Sequence, residues 1–204
     1  MKYQSNNFFI EKVKAQNLTK LYGTPIYCYS YEKLKKNIIN FRNNFKSFNP
    51  LVCFSVKANS NVNLLREIKK FNFGADVVSI GEMMKVLKAG FDPKKVVFSG
   101  VGKTSEELSY AINKNILLIN IESEEELIEV EKIAKKKRKV VDIGIRLNPN
   151  TDAKTLKKIS TVKKENKFGV TEKAFFNLLN YSKKSKYFKL KMFKCSYRKS
   201  NNEL

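Results

Sequence analysis

The sequence predicts an α/β fold, an incomplete (β/α)8 barrel of the TIM type. Short apolar runs rich in strand formers recur about every 20 to 25 residues, and a segment with helical spacing follows each run. This alternation is typical of βαβ units, which form a parallel sheet with right-handed crossovers. Such a barrel needs eight units and about 250 residues, whereas the 204 residues provide six strands at most. No G-x-G-x-x-G motif follows the first strand, so a dinucleotide-binding fold has no support.

The predicted elements follow one another in a regular order. The strands are Leu51–Val56, Ala75–Ser79, Val96–Ser99, Ile116–Ile121, Val140–Leu147 and a run that begins about Tyr187. The helices between them are Val62–Phe71, Glu82–Ala89, Glu106–Asn113, Glu124–Lys137 and Thr171–Ser182. The first set is predicted as strands because the runs are short and apolar, and the second as helices because of their helical spacing.

The fourth helix carries signals at both ends. Ser123 is its predicted N-cap, and Glu126, three positions further on, is predicted to complete a capping box. The run Lys135–Lys139 closes the helix. Because cations are favourable at a helix C-terminus, this run is interpreted as a solvated helix end.

The composition indicates a globular protein with a strong positive charge. Hydrophobic residues make up 42% of the chain, and the formal net charge is +22. A basic surface would suit nucleic acid. However, only five of the 41 basic residues are arginine, and the basic residues are scattered among many Asn, Ile and Phe residues. A/T-rich codons favour these residue types together with Lys, so the charge is attributed to composition and no nucleic-acid partner is predicted.

Targeting, membrane and metal signals are absent from the sequence as given. The opening segment MKYQSNNFFIEKVKAQN contains no apolar core of a signal peptide. No apolar run approaches the roughly 20 residues of a membrane helix. Cys28, Cys53 and Cys195 lack the spacing of metal ligands. We therefore predict a cytoplasmic protein with no membrane partner and no metal site.

Two lysines stand out by position and by motif. Lys57 lies where the first apolar strand gives way to a polar loop, which in a barrel is the rim that carries active sites. A lysine held against apolar neighbours there can act as a nucleophile, although a solvated lysine is the alternative. Lys103 belongs to a GKT triplet, but a phosphate-binding Walker motif requires glycine where Val97 stands. Nucleotide binding is therefore excluded.

Five segments resemble known sequence blocks. VCFSVKAN resembles the Y-A-x-K-A-N signature of alanine-racemase-type (fold type III) barrels that bind pyridoxal phosphate (PLP). The other four resemble blocks of the diaminopimelate decarboxylases within that group. The five segments are Tyr22–Ser30, Val52–Asn59, Gly74–Gly90, Phe98–Thr104 and Arg146–Val170, and the resemblance spans about Leu21 to Leu190. The last segment, which ends in ENKFGV, favours this family over ornithine or arginine decarboxylases.

The resemblance implies a cofactor and three site residues. Lys57 aligns with the catalytic lysine that forms the Schiff base with PLP. Asp76 aligns with an aspartate close to the cofactor, with a loop or cap carboxylate as the alternative. Arg146 aligns with an arginine beneath the cofactor, with a structural ion pair as the alternative. Lys167–Gly169 matches a loop on the rim of the active site and is assigned no role.

The resemblance also implies a reaction and partners. It implies decarboxylation of a small-molecule amino acid, meso-2,6-diaminopimelate, to L-lysine, with PLP as the electron sink. For the full-length family member a homodimer is expected. A related PLP-barrel decarboxylase of the ornithine or arginine type and a non-catalytic PLP-binding protein stay open as alternatives. A basic nucleic-acid-binding protein is a further one.

The end of the chain departs from the family pattern. Family members continue from the sixth strand into H-I-G-S-Q, whereas this sequence contains no histidine. The residues Cys195–Leu204 can be back-translated with codons that, read from the second nucleotide, spell V-H-I-G-S-Q-I-T-N. Because this motif falls where H-I-G-S-Q should begin, it indicates a frameshift between about Lys189 and Cys195.

The chain is therefore predicted to have three parts. Residues 1–30 are a segment that packs with a missing C-terminal β-domain, residues 31–194 a partial PLP-binding barrel, and residues 195–204 an out-of-frame tail. Exposed sheet edges and apolar surface predict that this chain alone is poorly soluble and inactive.

Overall fold

The computed structural model describes residues 2–148 and 168–195, the last without its side chain. The chain divides into two compact units, Met1–Pro50 and Leu51–Leu204. The predicted out-of-frame tail lies outside the described residues, apart from the backbone of Cys195. The predicted domain boundaries stay a prediction. No helix in the described part of the chain has the length and apolarity to cross a membrane.

The first unit contains a small antiparallel sheet that the sequence analysis did not predict. Its elements are β1 (Lys2–Gln4), β2 (Asn7–Ile10), β3 (Val13–Lys14), α1 (Ala15–Tyr22), α2 (Tyr31–Asn44) and a 3-10 turn, Lys46–Phe48. Ser5 and Asn6 both have positive φ, which a tight turn between hairpin strands requires. Strands of two to four residues leave too short a pattern to be recognised from sequence.

The second unit alternates strands with helices. Its strands are β4 (Cys53–Ser55), β5 (Gly74–Val77), β6 (Val96–Phe98), β7 (Leu118–Ile121), β8 (Val141–Leu147) and β9 (Phe188–Cys195). Its helices are α3 (Val62–Lys69), α4 (Ile80–Lys88), α5 (Ser105–Lys114), α6 (Glu124–Lys137) and α7 (Glu172–Lys184), with 3-10 turns at Val56–Ala58 and Pro93–Lys95. Every element predicted after Leu51 is found within a few residues of its predicted position.

The six strands of the second unit form one parallel sheet. Their order is β4-β5-β6-β7-β8-β9, so each strand pairs with the next one in the chain. This order is that of a barrel, whereas a doubly wound sheet reverses its order at a switch point. The predicted α/β barrel pattern is confirmed, with six described strands where a complete barrel of this type has eight.

The core of the second unit lies between the sheet and its helices. Strand β7 is buried along its whole length, as expected for a parallel strand covered on both faces. The largest fully buried side chains come from β6, β7, β8 and helices α3 to α6, and they are Phe98, Leu65, Ile68, Met83, Leu108, Ile119, Ile121, Leu127, Ile143 and Ile145. Removing the chain's apolar area from water stabilises this arrangement by about 25 cal/mol per Å².

Side-chain caps begin the helices of the second unit. The capping residues are Asn61, Ser79, Thr104, Ser123 and Thr171. The predicted cap is confirmed, since the Glu126 backbone N–H donates to Ser123 Oγ at 3.2 Å. The predicted capping box is wrong, because the Glu126 carboxylate accepts from the Lys103 ammonium at 2.7 Å instead. A buried ammonium is a stronger partner for a carboxylate than a neutral backbone N–H.

Helix α6 ends in the predicted run of cations. Lys135, Lys136 and Lys137 occupy its last turn, and Arg138 ends it with φ of 53°. Lys139 is not merely solvated, because its ammonium donates to the Ile112 carbonyl at 3.1 Å at the end of α5. This lysine therefore ties the ends of two helices together.

Candidate active site

Lys57 lies just past the C-terminal end of β4. That strand ends at Ser55, and the following 3-10 turn buries Val56 fully while Lys57 is exposed. No hydrogen bond or ion pair joins the Lys57 amine to any residue of 2–148 or 168–195. The Asn59 N–H closes the turn by donating to the Val56 carbonyl at 3.0 Å. The result is an accessible primary amine on a fixed backbone.

Asp76, at the C-terminal end of β5, belongs to a polar cluster inside the sheet. Its carboxylate accepts from Ser99 Oγ, and the Lys194 ammonium lies 3.9 Å away. Ser99 is buried and also accepts from Asn120 Nδ2 and from Lys194 Nζ, each at 2.8 Å. One hydroxyl thus joins side chains from β5, β7 and β9.

The Lys194 ammonium, on β9, is partly buried among charged side chains. Burial lowers the pKa of its ammonium from the ordinary value, and the nearby Arg146 and Lys57 cations lower the pKa further. Asp76 and Glu122 act in the opposite direction. Asp76 lies 3.9 Å from this ammonium, and Lys57, Asp76 and Arg146 all lie near the C-terminal ends of their strands, at one edge of the parallel sheet.

Arg146, on β8, is held in a buried ion pair. Its Nη1 donates to both carboxylate oxygens of Glu122, at 2.9 and 3.0 Å, and only 4% of Glu122 is exposed. The guanidinium also lies over the Phe168 ring, 4.9 Å from its centroid. The ion pair that was the alternative interpretation of Arg146 is therefore present, and it does not exclude a second contact with a ligand.

Glu122 accepts two further hydrogen bonds from backbone. The Gly100 N–H donates at 3.0 Å and the Gly169 N–H at 3.1 Å. Gly169 has φ of +75°, and a Cβ there would lie 2.8 Å from the Arg146 carbonyl oxygen. Glycine is therefore required at this position, where the described part of the Lys167–Gly169 segment meets the end of β8.

Lys103 forms a second buried ion pair at the same edge. Its ammonium donates to the Gly100 and Asn120 carbonyls at 2.6 and 2.8 Å, and to Glu126 at 2.7 Å. Burial raises the pKa of Glu126 in spite of the Lys103 cation beside it. All three protons of this ammonium have acceptors, so Lys103 is a structural cation.

Cys53 lies on β4, which pairs with the strand that carries Asp76. Burial, and then the Asp76 carboxylate, raise the pKa of its thiol to about 11, although Lys194 opposes the shift. The thiol therefore stays protonated near neutral pH, and a protonated thiol is a poor nucleophile. In the described residues, no group of His, Cys, Asp and Glu side chains has the arrangement of a metal site.

Sequence reasoning found three residues of this edge and missed the others. Lys57, Asp76 and Arg146 follow from the resemblance, whereas Ser99, Asn120, Glu122 and Lys194 were not singled out. Ser99 and Glu122 do come directly after β6 and β7, so their place at strand ends was a usable signal. Nothing in the sequence marks Asn120, whose Oδ1 is buried without a hydrogen-bond partner.

Comparisons with known proteins agree on one family. The family described as pyridoxal-dependent decarboxylase, pyridoxal binding domain, matches residues 31–192. A diaminopimelate decarboxylase of Helicobacter pylori strain J99 is 45% identical over 172 residues, which are 84% of this chain and 42% of that protein. One of Campylobacter jejuni is 42% identical over 172 residues, covering 84% and 43%. The chain thus spans less than half the length of these relatives.

Solved structures give the same result. The diaminopimelate decarboxylase of Helicobacter pylori complexed with L-lysine is 42% identical, with a TM-score of 0.86 over 89% of this chain and 46% of that one. The enzyme of M. jannaschii in complex with L-lysine is 32% identical, with a TM-score of 0.89 over 96% of this chain and 47% of that one.

Proposed function

The chain belongs to the pyridoxal-dependent decarboxylase family, and on that premise we propose that its protein converts meso-2,6-diaminopimelate to L-lysine and CO2. The observation that carries the proposal is the Lys57 amine, exposed and without a described hydrogen-bond partner at the C-terminal end of β4. Active sites of parallel barrels lie at this end of their strands. The substrate is proposed from the relatives, which are named as diaminopimelate decarboxylases.

The side chains at this edge of the sheet fit pyridoxal phosphate, the cofactor of this family. An aldehyde cofactor needs an accessible primary amine, and Lys57 provides one. An anionic phosphate compound also needs cations that are not fully neutralised by local acids. Lys57, Lys194 and Arg146 carry three positive charges here, against the carboxylates of Asp76 and Glu122. The net charge of this cluster favours an anionic ligand.

Each residue has a defined part in the proposal. Lys57 would hold the cofactor, whose ring supplies an electron sink when it is bound. Asp76 would present a carboxylate whose orientation is set by Ser99. Arg146 would present a guanidinium whose position is set by Glu122. The roles of Asp76 and Arg146 at the cofactor are part of the proposal.

The proposal extends to assembly and location. A homodimer and a cytoplasmic site of action are expected for the full-length protein. The 204-residue chain by itself is expected to release no CO2 from diaminopimelate, because it spans under half the length of its relatives. Measurable release by the purified chain would contradict this expectation.

Cofactor capture by Lys57 is testable directly. The purified chain is incubated with pyridoxal phosphate, reduced with borohydride and mapped by mass spectrometry. We expect the label on Lys57 in the wild type and none at this site in Lys57→Arg. Lys85→Arg is the matched control, because Lys85 is also exposed but donates to Ser60 at 2.8 Å. Equal labelling of many lysines, with no preference for Lys57, would sink the proposal.

The coding DNA is first resequenced from about codon 185 onward. The protein that the resulting reading frame encodes is then used to test the substrate. That protein is assayed for CO2 release with meso-diaminopimelate, ornithine, arginine and lysine. We expect turnover of diaminopimelate alone. Turnover of ornithine or arginine instead would replace the proposed substrate while leaving the role of Lys57 in place.

A further inference from the structure

We propose that Glu122 is a positioning residue, whose carboxylate fixes Arg146 and the backbone of Gly100 and Gly169 in one arrangement at the edge that carries Lys57. The inference rests on the proposed function only where it concerns Arg146 as a ligand contact. The arrangement itself rests on four hydrogen bonds to a single buried carboxylate.

The contacts of Glu122 join parts of the chain that are far apart in sequence. Gly100 follows β6 and lies 22 residues away, Arg146 is on β8 and lies 24 residues away, and Gly169 lies 47 residues away. Glu122 itself directly follows β7. One side chain therefore fixes three neighbouring strand ends and the segment that precedes Val170, which itself pairs with Leu147.

Both the charge and the shape of the carboxylate are needed at this position. Within residues 2–148 and 168–195, the hydrogen-bond partners of the two Glu122 oxygens are all donors, namely two backbone N–H groups and one guanidinium nitrogen. A glutamine amide has the same shape but only one acceptor oxygen, so its NH2 group would face a donor. Because Glu122 is only 4% exposed, water cannot replace the missing acceptor without rearrangement.

Glu122 acts on the site through Arg146. The Arg146 and Glu122 charges act on the Lys194 ammonium in opposite directions, and this ammonium lies 3.9 Å from the Asp76 carboxylate. A guanidinium released from Glu122 would move relative to this amine cluster. The consequence is a change in ligand binding at Lys57, although Glu122 makes no recorded contact with Lys57 itself.

The chain offers a matched control in Glu126. This residue is also buried and paired with a cation, since its carboxylate lies 2.7 Å from the Lys103 ammonium and 8% of its side chain is exposed. It has no recorded contact with Arg146 or Gly169. Glu126→Gln therefore removes a second buried charge next to the Glu122 backbone, while keeping the carboxylate that accepts from Arg146 and Gly169.

Amide hydrogen exchange tests the positioning without any cofactor. We expect Glu122→Gln to speed exchange at the Gly100 and Gly169 amides by roughly tenfold or more, because each loses a charged acceptor. Glu126→Gln should leave the Gly169 amide unchanged. Equal protection of the Gly169 amide in wild type and Glu122→Gln, both shown to be folded by circular dichroism, would overturn the inference.

Capture of pyridoxal phosphate tests the action through Arg146. The affinity is measured from the absorbance of the Lys57 adduct for Glu122→Gln, Arg146→Gln and the double variant. If Glu122 acts through Arg146, the double variant binds no more weakly than Arg146→Gln alone. Additive losses would refute that action. If the wild type captures no cofactor, the proposed function fails instead, and the exchange experiment still decides the positioning.

Discussion

Two lysines at the same edge of the sheet differ completely in their surroundings. Lys57 follows β4, is exposed and has no described hydrogen-bond partner. Lys103 follows β6 in a loop of similar length, and its side chain is 1% exposed with three acceptors within 2.8 Å. The first amine is accessible for chemistry, whereas the second holds the loop between β6 and α5 against β7 and α6.

The difference shows that position at the rim of a barrel does not by itself identify a reactive lysine. Both residues lie in polar loops after apolar strands, and both belong to segments that resemble the same family. They differ in their hydrogen-bond partners, since all three protons of the Lys103 ammonium have acceptors, whereas the Lys57 amine has none in the described residues.

Removing Lys103 should have the largest effect on stability. Lys103→Met leaves the Glu126 carboxylate and two carbonyls without their donor, so we expect a loss of about 3 to 5 kcal/mol in the free energy of unfolding. Urea titration followed by circular dichroism measures it. The double variant Lys103→Met/Glu126→Leu should recover most of the loss, because no unpaired buried charge remains. A single variant as stable as wild type would break the contrast.

Alanine substitutions at two glycines separate the cost of a left-handed backbone from the cost of close packing. Gly102 and Gly169 have similar φ values, +71° and +75°, but a Cβ at Gly102 meets nothing within 4 Å. Gly102→Ala should therefore cost only the left-handed conformation, about 1 kcal/mol. Gly169→Ala should cost about 1 to 3 kcal/mol more, because its Cβ meets the Arg146 carbonyl. Equal losses in thermal unfolding would show that the Gly169 segment yields to the added methyl group.

Lys194 is intermediate between the two lysines, with one hydrogen bond to Ser99 and partial burial. Its pKa is lowered mainly by burial, so the unfolded chain binds the proton more tightly. Between the folded and the unfolded pKa, stability from this group should therefore rise as pH increases. Below the folded pKa, the burial penalty is present in full.

Competitive acetylation mapped by mass spectrometry follows this titration residue by residue. Lys194 should react at lower pH in the folded chain than in urea. Lys57→Met should move its midpoint upward, because a neighbouring cation is removed. An unchanged midpoint would show that Lys57 does not lie close to Lys194.

The accessible lysine should have the smallest effect on stability. Lys57→Met removes no recorded contact, so the free energy of unfolding should change by no more than about 0.5 kcal/mol. The same substitution should abolish cofactor capture, which separates a chemical role from a structural one. A loss as large as that of Lys103→Met would erase the distinction between the two residues.

The elements of the second unit could be predicted because their signals are local. An apolar run marks β7, and Ser123 marks the start of α6 within a few residues. The Glu126 carboxylate could not be assigned locally, because Lys103, which competes with the Ser123 backbone for it, is 23 residues away. The first-unit sheet was missed for a different reason, since strands of two to four residues are too short to show an alternating pattern.

The residues of the candidate site also fall into one that a local motif identifies and others that depend on distant partners. Lys57 was found because its segment carries a family signature, and its exposure requires no distant partner. The role of Ser99 depends on Asp76, Asn120 and Lys194, which lie 21 to 95 residues away. Such a cluster exists only after five strands have paired in register, and no pattern in the sequence of one strand contains that information.

The strand order of the second unit has a consequence for synthesis on the ribosome. Each strand from β5 to β9 pairs with the one translated immediately before it. The sheet can therefore grow strand by strand as the chain emerges, with no segment waiting for a distant partner. Stalled nascent chains that end after α6 should already resist protease between β4 and β7. Uniform digestion of those chains would mean that the sheet assembles only after release.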